Sequence, residues 1–170
     1  RAPIVVVIVF AVAAVTLVFI GMQRSGEPPP DVEIAQAGSP DRPRDVTVIM
    51  RDYRFDPTPV VLVPGETVRF DIFNAGLEVH DFVIGDADVQ KAWSAADAAA
   101  TPPNIMATAP PASVPPGTGG LRVFLRSGEQ ASVDYDVPSD EDLALLCHIP
   151  GHIAKGMVGR VDLRDIKVSA

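Results

Sequence analysis

The stretch CHIPGHIAKGM, residues 147–157, gathers the only cysteine of a 170-residue chain, two of its three histidines and one of its four methionines. A structural cysteine in an oxidising compartment normally has a partner, and Cys147 has none, so it is either an inert buried thiol or a ligand. The local grammar of the stretch favours convergence. Cys147 closes an apolar run, Pro150-Gly151 is a turn dipeptide, Gly156 permits a second bend, and Met157 opens another apolar run. Cys147, His152 and Met157 thus hang from a strand, a turn and a strand, and their side chains can meet at one end of a β structure.

Outward from this stretch, the chain from Val46 onward consists of short runs rich in Val, Ile, Phe and Thr, separated by turn residues and lacking helical periodicity. The segment VPGETVRFDIFNAG shows the pattern: Pro64-Gly65 turns the chain, Val68, Phe70 and Ile72 alternate with Arg69 and Asp71, and Asn74 to Gly76 ends the run. Strands are predicted near residues 46–52, 60–63, 67–73, 81–84, 121–126, 131–137, 143–147 and 158–163. The fold class expected is all-β, a two-sheet Greek-key β-sandwich. Residues 85–120 interrupt the rhythm as an insertion. Its first part, DADVQKAWSAADAAA, predicts a short helix around 89–99 in which Trp93 serves as an apolar plug against the sandwich.

The first residues differ in kind. Nineteen uncharged residues from Ile4 to Met22 would reach about 28 Å as a helix, close to the hydrocarbon thickness of a bilayer. They are too long a run for a cleaved signal, so residues 1–24 are read as a transmembrane anchor. Residues 25–43 are rich in proline and poor in large apolar side chains, a tether. The β domain then occupies 44–170. All 22 acidic residues follow the anchor, whereas Arg1 and Arg24 flank it, so the domain is acidic and no nucleic-acid partner is expected. The run Asp140-Glu141-Asp142 is suited to steering a basic protein partner.

A further candidate, His80, stands just before the predicted strand DFVI. A thiolate, two imidazoles and a weak thioether form the ligand set of a mononuclear blue-copper site, and this mixture favours copper over zinc. His148 neighbours Cys147 on a strand, points to the opposite face, and is read as a non-ligand. CHIPGHIAKGMVG together with HDFVI resembles the cupredoxins, most closely the plastocyanin-like and auracyanin-like small blue copper proteins, over about residues 46–163 apart from the insertion. The resemblance implies one copper ion held by His80, Cys147, His152 and Met157, with His152 the exposed ligand through which electrons pass. Asp81 departs from the pattern, standing where these proteins commonly have Asn.

The function expected is that of a one-electron carrier on the outer, periplasmic face of a membrane, working between membrane redox complexes or cytochromes. A copper-delivery or storage protein and a copper-bearing accessory subunit are the alternatives. An enzyme is not expected, because four protein ligands leave no open position for a substrate and the chain lacks the additional histidines of a multicopper centre.

Overall fold

The computed structural model describes residues 34–99 and 112–165. The predicted anchor, the first part of the tether and residues 100–111 of the insertion lie outside the described residues. Among the described residues no helix is long and apolar enough to cross a membrane.

Among the described residues nine strands form two sheets. In chain order they are β1 (Arg44–Arg51), β2 (Arg54–Asp56), β3 (Val60–Leu62), β4 (Thr67–Asn74), β5 (His80–Gly85), β6 (Leu121–Leu125), β7 (Gln130–Asp136), β8 (Ala144–Leu146) and β9 (Val158–Leu163), with helix α1 (Ala87–Ala99) between β5 and β6. One sheet has the order β2-β1-β4-β7 and the other β3-β9-β8-β5-β6. Eight strands match the predicted runs within two residues at either end. β2 is the addition: three residues with Phe55 as their single apolar member carry no alternation that a sequence pattern reveals.

The alternation decides which faces meet. Val46, Val48 and Met50 of β1 and Val68, Phe70 and Ile72 of β4 point inward against Phe82, Ile84, Val123, Leu125 and Leu145 of the other sheet. Phe70 and Phe82 meet across this interior with ring centroids 5.0 Å apart. β5 is buried on both faces, because α1 covers the side that the first sheet does not.

That helix begins two residues earlier than predicted. Asp86 caps it, its side chain accepting from the Val89 N–H at 2.8 Å. Trp93 sits against the sandwich as expected, and what it meets there is a cation. The Arg122 guanidinium stacks on its ring, 4.4 Å from the centroid, so the tryptophan covers a buried cation.

At the chain's entry, the Glu66 carboxylate is buried and accepts from Arg44 Nε at 2.9 Å, the Val63 N–H at 2.7 Å and the Gly38 N–H at 3.1 Å. Burial alone would raise its pKa, yet these donors hold it below the usual carboxylate range. Residues from Gly38 onward are thereby fastened to the sandwich.

Candidate metal centre

Three adjacent strands bring the candidate residues to one end of the second sheet. His80 opens β5, Cys147 follows β8 directly, and Met157 immediately precedes β9. β8 pairs antiparallel with both neighbours, Leu146 lying opposite Val83 on one side and Val158 on the other. The remaining ligand comes from the loop between. Ile149, Pro150, Gly151 and His152 make the predicted turn, closed by the His152 N–H donating to the Ile149 carbonyl at 3.0 Å. Gly151 has φ +87°, which the Pro-Gly pair supplies without strain. The Met157 N–H donates back to the His152 carbonyl at 2.9 Å, and the Cys147 N–H to the Met157 carbonyl at 3.4 Å. The loop is a closed, internally bonded unit.

Within it the donors converge. His80 Nδ1 lies 3.2 Å from His152 Nδ1, and Cys147 Sγ lies 3.4 Å from the same His152 atom. All three donor atoms lie within 4.8 Å of one another, and all three residues are buried. Donors that share a metal at about 2.0–2.3 Å, the range of zinc–nitrogen and zinc–sulfur bonds, stand roughly 3–4 Å apart. Met157 is fully buried in the same apolar cluster as Cys147.

Burial, with the Asp81 charge adding to it, pushes the Cys147 thiol well above its ordinary pKa. In the absence of a metal the sulfur keeps its proton and is unreactive. Burial also lowers the pKa of His152, aided by the neighbouring His80, so its imidazole is neutral and able to ligate near pH 7.

Around the donors stands a ring of partners. The Asp81 N–H faces Cys147 Sγ at 3.5 Å. Its carboxylate accepts from the His148 N–H at 2.7 Å, which ties β5 to the ligand loop; the departure from Asn keeps this bond because a carboxylate oxygen accepts as an amide oxygen does. The charge is answered by Arg122, whose Nε donates to Asp81 Oδ2 at 2.8 Å while its Nη2 reaches Asp97 of α1 at 3.2 Å. The His148 ring points away from the donors and meets Gln90 Oε1 of α1 at 2.8 Å. Gln90 in turn donates to the Val83 and Ala144 carbonyls. The insertion thus buttresses the far side of the site.

No family model matches the chain. The copper-resistant cuproprotein CopI of Rubrivivax gelatinosus is 37% identical over 122 residues, covering 71% of this chain and 67% of the relative. The chain belongs to the CopI family of cuproproteins. A second CopI, from Pseudomonas aeruginosa, is 26% identical over 138 residues, 71% of this chain and 76% of that one.

Solved structures establish the fold of this CopI-family chain as that of the cupredoxins. Reduced auracyanin from Roseiflexus castenholzii superposes with a TM-score of 0.56 at 20% identity, covering 71% of this chain and 97% of its own. Auracyanin B gives 0.57 at 23% identity over 79% and 96%. Auracyanin A, described as a "blue" copper protein of Chloroflexus aurantiacus, gives 0.51 at 19% over 71% and 99%. The buried His-Cys-His cluster, with its mixed nitrogen and sulfur donors, fits a single copper ion.

One expectation is corrected. The resemblance implied an exposed His152, but in this CopI-family protein the ring is only 3% accessible. Tyr53 stands edge-on to it, ring centroids 5.3 Å apart, and Glu78 Oε2 takes its Nε2 at 3.0 Å. Lys155 closes the group by donating to the Tyr53 hydroxyl at 2.6 Å. Tyr53, Glu78 and Asp52, which meets His80 Nε2 at 3.2 Å, escape sequence reasoning. The single available hint is that Glu78 stands two residues before His80.

Proposed function

We propose that His80, Cys147 and His152, with Met157 as a weak fourth donor, hold one copper ion, and that the protein exchanges single electrons with a partner. The observation that carries this is the convergence of two imidazole nitrogens and one thiol within 4.8 Å in a buried pocket at the ends of packed strands. Bound copper supplies one-electron Cu(I)/Cu(II) chemistry. The chain's own part is to fix the donors and exclude water: the strands set Cys147 and His80, the closed loop sets His152 and Met157, and the apolar core surrounds the sulfur. Four protein donors leave no position for a substrate, which suits electron exchange and not turnover.

On this reading the anchor at 1–24 and the tether hold the domain on the extracytoplasmic side, where membrane redox complexes or cytochromes are its partners. Exposed Ile153 beside the ligand loop and the exposed run Asp140-Glu141-Asp142 give such a partner an apolar contact and an acidic guide.

A second reading, copper storage or delivery, is favoured by two observations. The relatives are named copper-resistant cuproproteins, and the His152 edge is covered by Tyr53 and Glu78, which keeps an electron-transfer partner away from that ligand. Voltammetry combined with chelator competition separates the two. An electron carrier gives a reversible one-electron wave and keeps its copper in the presence of the partner. A storage or delivery protein surrenders copper to the chelator or partner on the timescale of use and shows no partner-driven oxidation or reduction. Failure to take up copper in a 1:1 ratio refutes both.

A further inference from the structure

The outer nitrogens of both candidate histidines end on carboxylates. His80 Nε2 faces Asp52 Oδ1 at 3.2 Å, and His152 Nε2 faces Glu78 Oε2 at 3.0 Å. Resting on the copper-site reading above, we infer that Asp52 and Glu78 are positioning residues that fix both imidazoles in the Nε2–H tautomer, aiming two Nδ1 lone pairs at one point beside the Cys147 sulfur.

The argument is one of donors and acceptors. An ionised carboxylate only accepts, so each Nε2 must carry its ring's proton, and a neutral imidazole has just one. Each Nδ1 is then a bare lone pair. The two face each other at 3.2 Å in a buried site, and Cys147 Sγ stands 3.4 Å from His152 Nδ1. Opposed lone pairs out of water are unfavourable until a cation lies between them. The carboxylates therefore prepare the pocket for a metal ion and strengthen both nitrogens as donors.

Both carboxylates are themselves held. Asp52 Oδ1 also accepts from the Leu77 N–H at 2.9 Å and the Glu78 N–H at 3.2 Å, shaping the turn that leads into β5. Gly76 makes room for this contact: a Cβ there would stand 2.5 Å from Asp52 Oδ1 and 2.7 Å from His80 Nε2. The Tyr53 hydroxyl donates to Glu78 Oε1 at 2.6 Å, leaving the other oxygen for His152. Three separate segments, the β1–β2 turn, the approach to β5 and the ligand loop, thus agree on one arrangement.

The test uses the full chain and the variants Glu78→Ala and Glu78→Gln. Long-range ¹⁵N correlation spectra of the metal-free protein near pH 7.5 report the tautomer of each histidine. Wild type should show Nε2–H at both His80 and His152; Glu78→Ala should populate Nδ1–H at His152 alone, and Glu78→Gln, whose amide oxygen still accepts, should restore Nε2–H. Titration with Cu(II) alone should show affinity falling about 10–100-fold in Glu78→Ala, with the unfolding temperature of the metal-free protein little changed, since Glu78 is half exposed. An Nδ1–H form of His152 in the wild type, or a Glu78→Ala protein with unaltered tautomer and affinity, overturns the inference. A wild type that binds no Cu(II) refutes the proposed function instead, and the tautomer spectra then decide the inference by themselves.

Discussion

Replacing Arg122 with Met removes the cation that faces the buried Asp81. The side chains are 4% and 0% accessible and their charged atoms lie 2.7 Å apart. With the guanidinium gone, the buried Asp81 carboxylate keeps the His148 N–H as a donor but has no counter-charge. Breaking a buried pair from one side costs about 3–5 kcal/mol. For a domain of a little over a hundred residues, at roughly 4 °C per kcal/mol, the unfolding temperature of the metal-free protein should fall by about 12–20 °C. The second partner, Asp97, adds little to this loss, because burial already raises its pKa and it can become neutral. The decisive comparison is the double variant Asp81→Asn/Arg122→Met. Asn keeps the acceptor for the His148 N–H and buries no charge, so the double variant should recover most of the lost stability. Thermal or urea unfolding of wild type, both single variants and the double variant gives the coupling directly. A loss under about 1 kcal/mol in Arg122→Met, or a double variant no more stable than that single one, would refute the account of the pair.

Three other outcomes are expected. His148→Ala should leave the visible spectrum of the copper-loaded protein intact while costing about 1 kcal/mol through the lost bond to Gln90; loss of copper would show that His148 had been wrongly set aside. Met157→Leu conserves volume and should keep the fold and the metal, while the reduction potential rises as the weak donor is removed; an unchanged or lowered potential would make Met157 a packing residue only. Neutralising Asp140, Glu141 and Asp142 together should slow association with a basic redox partner in stopped-flow measurements at low ionic strength, and the difference should fade by about 0.15 M salt. Equal slowing at every salt concentration would remove the steering role.

The strands and the turn that gathers Cys147, His152 and Met157 were legible because each rests on a short-range pattern. Alternation in β1 and β4 marks the faces that become the core, and Cys147, Pro150-Gly151, His152 and Met157 lie close enough in the chain for spacing to carry meaning. The surroundings of the site have no such pattern. Asp52 meets His80, Tyr53 meets Lys155, and Arg122 bridges Asp81 and Asp97, all across gaps that depend on how strands from both sheets and a helix come together. The error over His152 has the same origin: an exposed ligand histidine was implied by resemblance in a short motif, and what covers the ring arrives from the β1–β2 turn and the approach to β5. Trp93 was placed against the sandwich correctly, but its buried arginine was invisible because a lone basic residue in a strand reads as a solvent-facing one.

The central claim is that Cys147, His80, His152 and Met157 hold one copper ion in the protein. Optical and EPR spectra of the copper-loaded protein, beside those of Cys147→Ser, test it most directly. The account predicts one copper per chain, an intense visible copper–thiolate charge-transfer band with the EPR signature of a blue site, and loss of that band in Cys147→Ser with the β-sandwich still folded. A wild-type protein without the band, or a Cys147→Ser protein that retains it, would contradict the account.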